Sequence, residues 1–103
     1  MSDDKISLIY TTISSMDEAK KLANKAVEER LAVCVNIIPY GISIYEWDGK
    51  IEQSDEVYML LKTSIRKMSK LTEWLYNNHP YDEPAIIEID AMASESFLNY
   101  ICK

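Results

Sequence analysis

The sequence predicts an α+β domain, an antiparallel β-sheet built in βαββαβ order with a long hairpin between its second and third strands and a short C-terminal helix. Three observations carry that reading. Val33 to Thr63 forms two long strand-like runs hinged on Asp48-Gly49. Asp-Gly between alternating apolar runs marks a tight hairpin, because glycine takes positive φ without a Cβ clash. One helical pattern lies on each side of this hairpin, and one strand-like run lies outside each helix. Two split βαβ units in this order usually fold as a ferredoxin-like sheet with both long helices on one face. A truncated flavodoxin-like sheet is the competing arrangement, and the hairpin argues against its all-parallel pairing.

The first element, Ile6 to Ile13, is an apolar and β-branched run of strand length that reads as substantially buried. Ser15 and Glu18 then form a capping box, with Ser15 as N-cap and Glu18 placed to reach back. Behind it Ala19, Leu22, Ala23, Ala26, Val27 and Leu31 recur at helical spacing, while Asp17, Lys20, Lys21, Asn24, Lys25 and Glu28 take the other face. The hairpin follows as Val33 to Ile38, an interruption at Pro39-Tyr40-Gly41, Ile42 to Trp47, the turn, and a return through Val57 to Thr63. Proline donates no ladder hydrogen bond, so the interruption predicts an edge position or a bulge. Ser64 is placed to cap a second helix, with Ile65, Met68, Leu71, Trp74 and Leu75 facing inward, and Pro80 ends it. Ala85 to Ile89 predicts a short last strand, and Ser94 starts a terminal helical turn carrying Phe97, Leu98 and Ile101.

Hairpin length has a consequence for assembly. Arms of about 14 residues at roughly 3.3 Å per residue span about 45 Å. A compact domain of this size has a radius of gyration near 13 Å, or roughly 33 Å across as a solid sphere. The ribbon must therefore overhang its own core, carrying Ile42, Ile44, Tyr45, Trp47 and Ile51 into water. Soluble monomers rarely expose an apolar patch of that extent, so the sequence predicts an oligomer whose ribbons cover one another.

At 103 residues the chain reads as a single domain over 1–103, with no linker, repeat or low-complexity tract. Its 17 acidic and 11 basic side chains give a net charge of −6, which disfavours nucleic acid and anionic membrane surfaces as partners. The opening Met1-Ser2-Asp3-Asp4-Lys5 is acidic where a secretory signal is basic, and no apolar run reaches membrane-spanning length, so a cytoplasmic location is expected. Cys34 and Cys102 are the only thiols, too few for a disulfide framework.

Candidates for chemistry are few. His79 is the only histidine; it ends the second helix, where an imidazolium favours the helix dipole. Cys34 sits inside an apolar strand, where a small buried hydrophobe and a reachable thiolate are both open readings. Glu46, Asp48, Glu52, Asp55 and Glu56 cluster around the ribbon tip and read as a charged edge that discourages further strand pairing. Lys62 lies at the end of the third strand, and Tyr81 and Asp82 stand between Pro80 and Pro84 in a stiff loop that either walls a pocket or is a plain turn. GxGxxG, P-loop, HExxH and CxxC patterns are absent, so no organic cofactor is expected, and no nucleophile–base pairing marks an enzyme.

Four strings carry a resemblance: Ala32 to Pro39 (AVCVNIIP), Ser43 to Ile51 (SIYEWDGKI), Leu61-Lys62-Thr63, and Asn78 to Pro84 (NHPYDEP). Together they resemble the CutA family of divalent-cation tolerance proteins through nearly the whole chain. The resemblance implies a ferredoxin-like subunit in a tight homotrimer, similar in design to the nitrogen-regulatory PII signal proteins. It also implies a role in tolerance to copper and other divalent metals, with copper(II) ligands falling on Cys34 and His79. A further cysteine of the family aligns with Tyr10, and a phenol is a poor substitute for thiolate toward a borderline metal. Pro39-Tyr40-Gly41 also departs from the family, which more often has glycine directly after the proline. Three functions are thus expected to compete. They are a non-catalytic trimer binding copper(II) or another divalent cation, a PII-like sensing trimer with Tyr45, Trp47, Lys62 and Tyr81 as cleft residues, and a structural assembly module without a ligand.

Overall fold

A computed structural model describes residues 4–103; Met1–Asp3, part of the acidic opening, lie outside the described residues. The elements run β1 (Lys5–Ile13), α1 (Met16–Glu28), β2 (Cys34–Trp47), β3 (Lys50–Ser64), a 3₁₀ turn (Ile65–Lys67), α2 (Met68–Asn78), β4 (Ile86–Met92) and α3 (Glu95–Cys102). All four strands join one antiparallel sheet in the order β2-β3-β1-β4. This is the predicted α+β arrangement.

Strand alternation sends Ile9 and Ile13 of β1, and Met59 and Leu61 of β3, to one face. They meet Ala19, Leu22, Ala23 and Ala26 of α1 and Leu71 and Leu75 of α2 in a single core. The Ser15 cap forms at the head of α1, with Glu18 N–H donating to Ser15 Oγ at 3.2 Å, while the Glu18 carboxylate accepts from the Ser14 and Ser15 hydroxyls at 3.2 and 3.3 Å instead of closing the box on the Ser15 backbone N–H. The cap expected from Ser64 does not form. Pairing of β3 with β1 continues to Ser64 itself, so the chain needs the 3₁₀ turn before α2 begins at Met68, and Ile65 is left exposed. The last strand likewise runs to Met92 rather than ending at Ile89, because its pairing extends to Lys5 of β1.

The same alternation buries Ser7, Thr11 and Thr63 among the helices, with no hydrogen-bond partner for their hydroxyls among the described residues. A buried, unsatisfied polar group costs about 1–3 kcal/mol. Thr63→Val keeps the branched shape and removes the orphan hydroxyl, so urea denaturation should show a gain of about 1 kcal/mol. A loss of similar size would mean that the hydroxyl has a partner in solution.

The ribbon dominates the outline, with principal extents of 46 × 25 × 23 Å and a radius of gyration of 14.5 Å. Asp48 and Gly49 both have positive φ, 53° and 79°, as a primed hairpin turn requires. Pairing slips between Ile38 and Gly41, so Pro39 and Tyr40 together face one residue of β3. This is the bulge predicted at Pro39. It holds Tyr40 at φ 65° with its side chain 97% exposed, a left-handed conformation that costs about 1–2 kcal/mol outside glycine. The extra residue also reverses which side chains share a face. Cys34, Asn36 and Ile38 before the bulge, and Gly41, Ser43, Tyr45 and Trp47 after it, therefore lie on the face opposite α1 and α2.

On that face α3 packs over β3 and β1 at one end, with Ile101 buried and the Lys62 ammonium 5.4 Å from the centre of the Phe97 ring. Beyond α3, Ile38, Ile87 and Ile89 stand exposed on this face.

Candidate functional site

Helix α2 ends where it does because residues before proline avoid the helical region, and His79, preceding Pro80, is extended at φ −74°, ψ 139°. That backbone turn swings the imidazole beneath β1. There Nε2–H donates to the Thr12 carbonyl at 2.8 Å while Nδ1 accepts from Tyr81 N–H at 3.1 Å. The second bond requires a bare Nδ1, which assigns the neutral tautomer protonated on Nε2. The side chain is only 8% exposed and packs against the Tyr81 ring, centroids 4.8 Å apart. Burial lowers its pKa below the ordinary 6.5, against the opposing pull of the Thr12 carbonyl and the charges of Glu18 and Glu56. The imidazolium expected at the helix end is therefore corrected to a neutral clamp between strand and loop.

The clamp aims Tyr81. Its phenol donates to Glu56 Oε2 at 2.6 Å, and Ser43 O–H donates to Glu56 Oε1 at 3.1 Å. Glu56 is 9% exposed, so its carboxylate sits out of water among neutral hydroxyls. Burial first, and then the bond and charge of Glu56, push the Tyr81 phenol well above its usual range. Tyr10, on the same face of the sheet, is also raised, by burial and then by Tyr58 and Glu56. The Tyr58 hydroxyl accepts from Ile42 N–H at 3.0 Å and donates to Ile42 O at 3.1 Å, which latches the ring over the bulge.

Sequence reasoning missed Glu56, placing it with the solvated carboxylates of the tip. Glu46, Asp48, Glu52 and Asp55 are exposed as read, whereas Glu56 lies at the base of the ribbon, paired with Gly41. The available signal was parity: Glu56 is one step beyond the apolar run Val57 to Leu61, on the face of Tyr58 and Leu60.

The structure separates most of the other candidates. Cys34 pairs with Lys62, while Thr12, which holds His79, pairs with Tyr58. Those positions are four strand residues apart, about 13 Å. Cys34 is half-buried and Cys102 is exposed at the end of α3. Among the described residues no three His, Cys, Asp or Glu side chains are grouped to hold a metal ion. Within one protomer the implied donors therefore do not fit a copper(II) centre: both imidazole nitrogens are engaged, the thiol is distant, and the Tyr10 phenol holds its proton. The four cleft candidates share a face but are strung along it. Lys62 lies under α3, Tyr81 meets Glu56, Tyr45 accepts a bond from Ser54 at 3.2 Å, and Trp47 stands at the tip opposite Lys50.

Comparison with known proteins bears on the whole chain. A family model described as CutA1 divalent ion tolerance protein matches residues 7–103. The divalent-cation tolerance protein CutA of Thermus thermophilus is 36% identical over 95 residues, covering 91% of this chain and 92% of that one. The chloroplastic protein CutA of Arabidopsis thaliana is 38% identical over 95 residues, covering 91% of this chain and 52% of its own. The chain spans about half the length of the plant and mammalian relatives it matches. The crystal structure of the divalent ion tolerance protein CutA1 from Ehrlichia chaffeensis superposes with a TM-score of 0.92 at 35% identity, covering 97% of this chain and 94% of that one. With the fold, the bulged ribbon and the loop after α2 all inside the matched span, the chain belongs to the CutA1 divalent ion tolerance family.

Proposed function

We propose that this protein is a non-catalytic, cytoplasmic homotrimer of divalent-cation tolerance that binds copper(II) or a similar divalent ion at the boundary between subunits. Membership of the tolerance family carries the reading. Assembly is supported by the apolar ribbon, where Trp47 is 68% and Ile51 75% exposed, and by the uncovered isoleucines of the sheet. Cys34 and His79 of one protomer lie too far apart to share an ion, so in this reading the ion draws its donors from neighbouring subunits. His79 can donate to an ion only by giving up one of its two hydrogen bonds.

Glu56 favours a second reading, a PII-like trimer that senses a small cationic ligand. Among the described residues its buried carboxylate has only hydroxyl partners, and a buried charge is strongly stabilised by an opposite one. Calorimetric titration of the tag-free protein with copper(II) and zinc(II), beside Cys34→Ser and His79→Gln, separates the two. Saturable binding weakened at least tenfold in either variant supports the metal reading. Heats that are equal and non-saturable in all three proteins would leave the sensing trimer.

A further inference from the structure

Between α1 and the C-terminal end of α2 lies a cavity of about 250 Å³, on the opposite side of the sheet from Glu56. Its walls combine three kinds of group. Ile13 and Leu22, both buried, belong to the core and give it an apolar floor. The Trp74 indole is half-buried against the same core, which fixes an aromatic wall. Lys21 and Lys25, one helical turn apart on α1, are exposed and line its rim, so that their ammonium groups can swing within reach of it.

One carboxylate, Glu18, also lines the cavity, but it is engaged elsewhere, accepting from the hydroxyls of Ser14 at 3.2 Å and Ser15 at 3.3 Å. Asn78 spends its amide N–H on the Trp74 carbonyl at 2.8 Å, leaving its own carbonyl as an acceptor. In a chain of net charge −6, two lysines beside an indole face make a local exception of positive sign. Size sets the scale of what fits, since drug-sized ligands occupy roughly 300–1,000 Å³ and this space lies just below that range.

We propose that this cavity is a binding site for a small organic anion with a single aromatic ring, the ring lying on Trp74 and the carboxylate or phosphate on Lys21 and Lys25. Offset stacking on the indole and two ammonium partners are the recognition such a ligand needs. The site shares no proposed ligand with the cation reading, neither Cys34, His79 nor Glu56, although Asn78 and Pro80 flank His79 and the Glu18 charge acts on its imidazole.

Its test uses the two tryptophans. In Trp47→Phe protein Trp74 is the only tryptophan, so its emission under excitation selective for indole over the seven tyrosines reports the cavity directly. Phenyl phosphate and benzoate are expected to give saturable changes, weakened about tenfold by raising the salt and by the double variant Lys21→Glu with Lys25→Glu. Benzylamine, of the same size and opposite charge, is expected to give none. Glu18→Gln keeps the capping geometry, removes the opposing charge and should tighten binding. The proposal is overturned by an absence of saturation, by an equal response to benzylamine, or by undiminished binding in the double variant. Any of these would mean that the lysine stems merely cover apolar surface.

Discussion

His79→Ala is expected to lower the free energy of unfolding by about 2–4 kcal/mol, the sum of a truncated buried ring and two severed hydrogen bonds. The imidazole fills space between Thr12 and Tyr81, and its loss leaves the Thr12 carbonyl and the Tyr81 N–H without partners. The effect should spread to Glu56, because the clamp is what delivers the Tyr81 phenol to that carboxylate. A histidine that only ended a helix would cost a few tenths of a kcal/mol on replacement. Chemical denaturation at pH 8 distinguishes the two outcomes.

The same residue sets a pH dependence of definite sign. Burial depresses the folded pKa below the unfolded 6.5, so between the two values the unfolded chain binds more protons. Stability therefore falls as pH drops from about 6.5 toward the folded pKa and levels off below it. His79→Gln, which titrates nowhere in this range, should flatten that slope. An unchanged slope in the variant would assign it to carboxylates instead.

Gly41→Ala should be the second costly change, about 1–3 kcal/mol or more. An added Cβ would overlap the Tyr58 ring, at 2.7 Å from Cε2, and the ring cannot step aside without breaking both bonds to Ile42. Glycine is required here for space, to let a tyrosine lie flat across a bulge, whereas Gly49 is required for its φ of 79°. Double substitution with Tyr58→Ala tests the mechanism: the penalty of Gly41→Ala should largely vanish when the ring is already gone. Additive penalties would show that the strain lies in the backbone.

What the sequence made legible was local. The Asp48-Gly49 turn, the Ser15 cap, the stop at Pro80 and the break at Pro39 each depend on a few adjacent residues, and each appears in the fold. Ser64 misled because the ladder to β1 continues through it, a long-range pairing that outranks a local capping preference. Glu56 was hidden for a related reason. Its burial depends on the loop after α2 folding back to present Tyr81, and on the bulge bringing Ser43 to the same face. Cys34 and His79 illustrate the converse. Family likeness pairs them as ligands, yet sheet register separates them within one protomer.

Native mass spectrometry of the tag-free protein, before and after addition of copper(II), tests the proposed function most directly. It should give a single species of three times the 11.9 kDa chain mass, taking up copper in steps that end at three ions. A monomer, or a trimer that acquires no stoichiometric ion, would contradict a cation site assembled at the boundary between subunits.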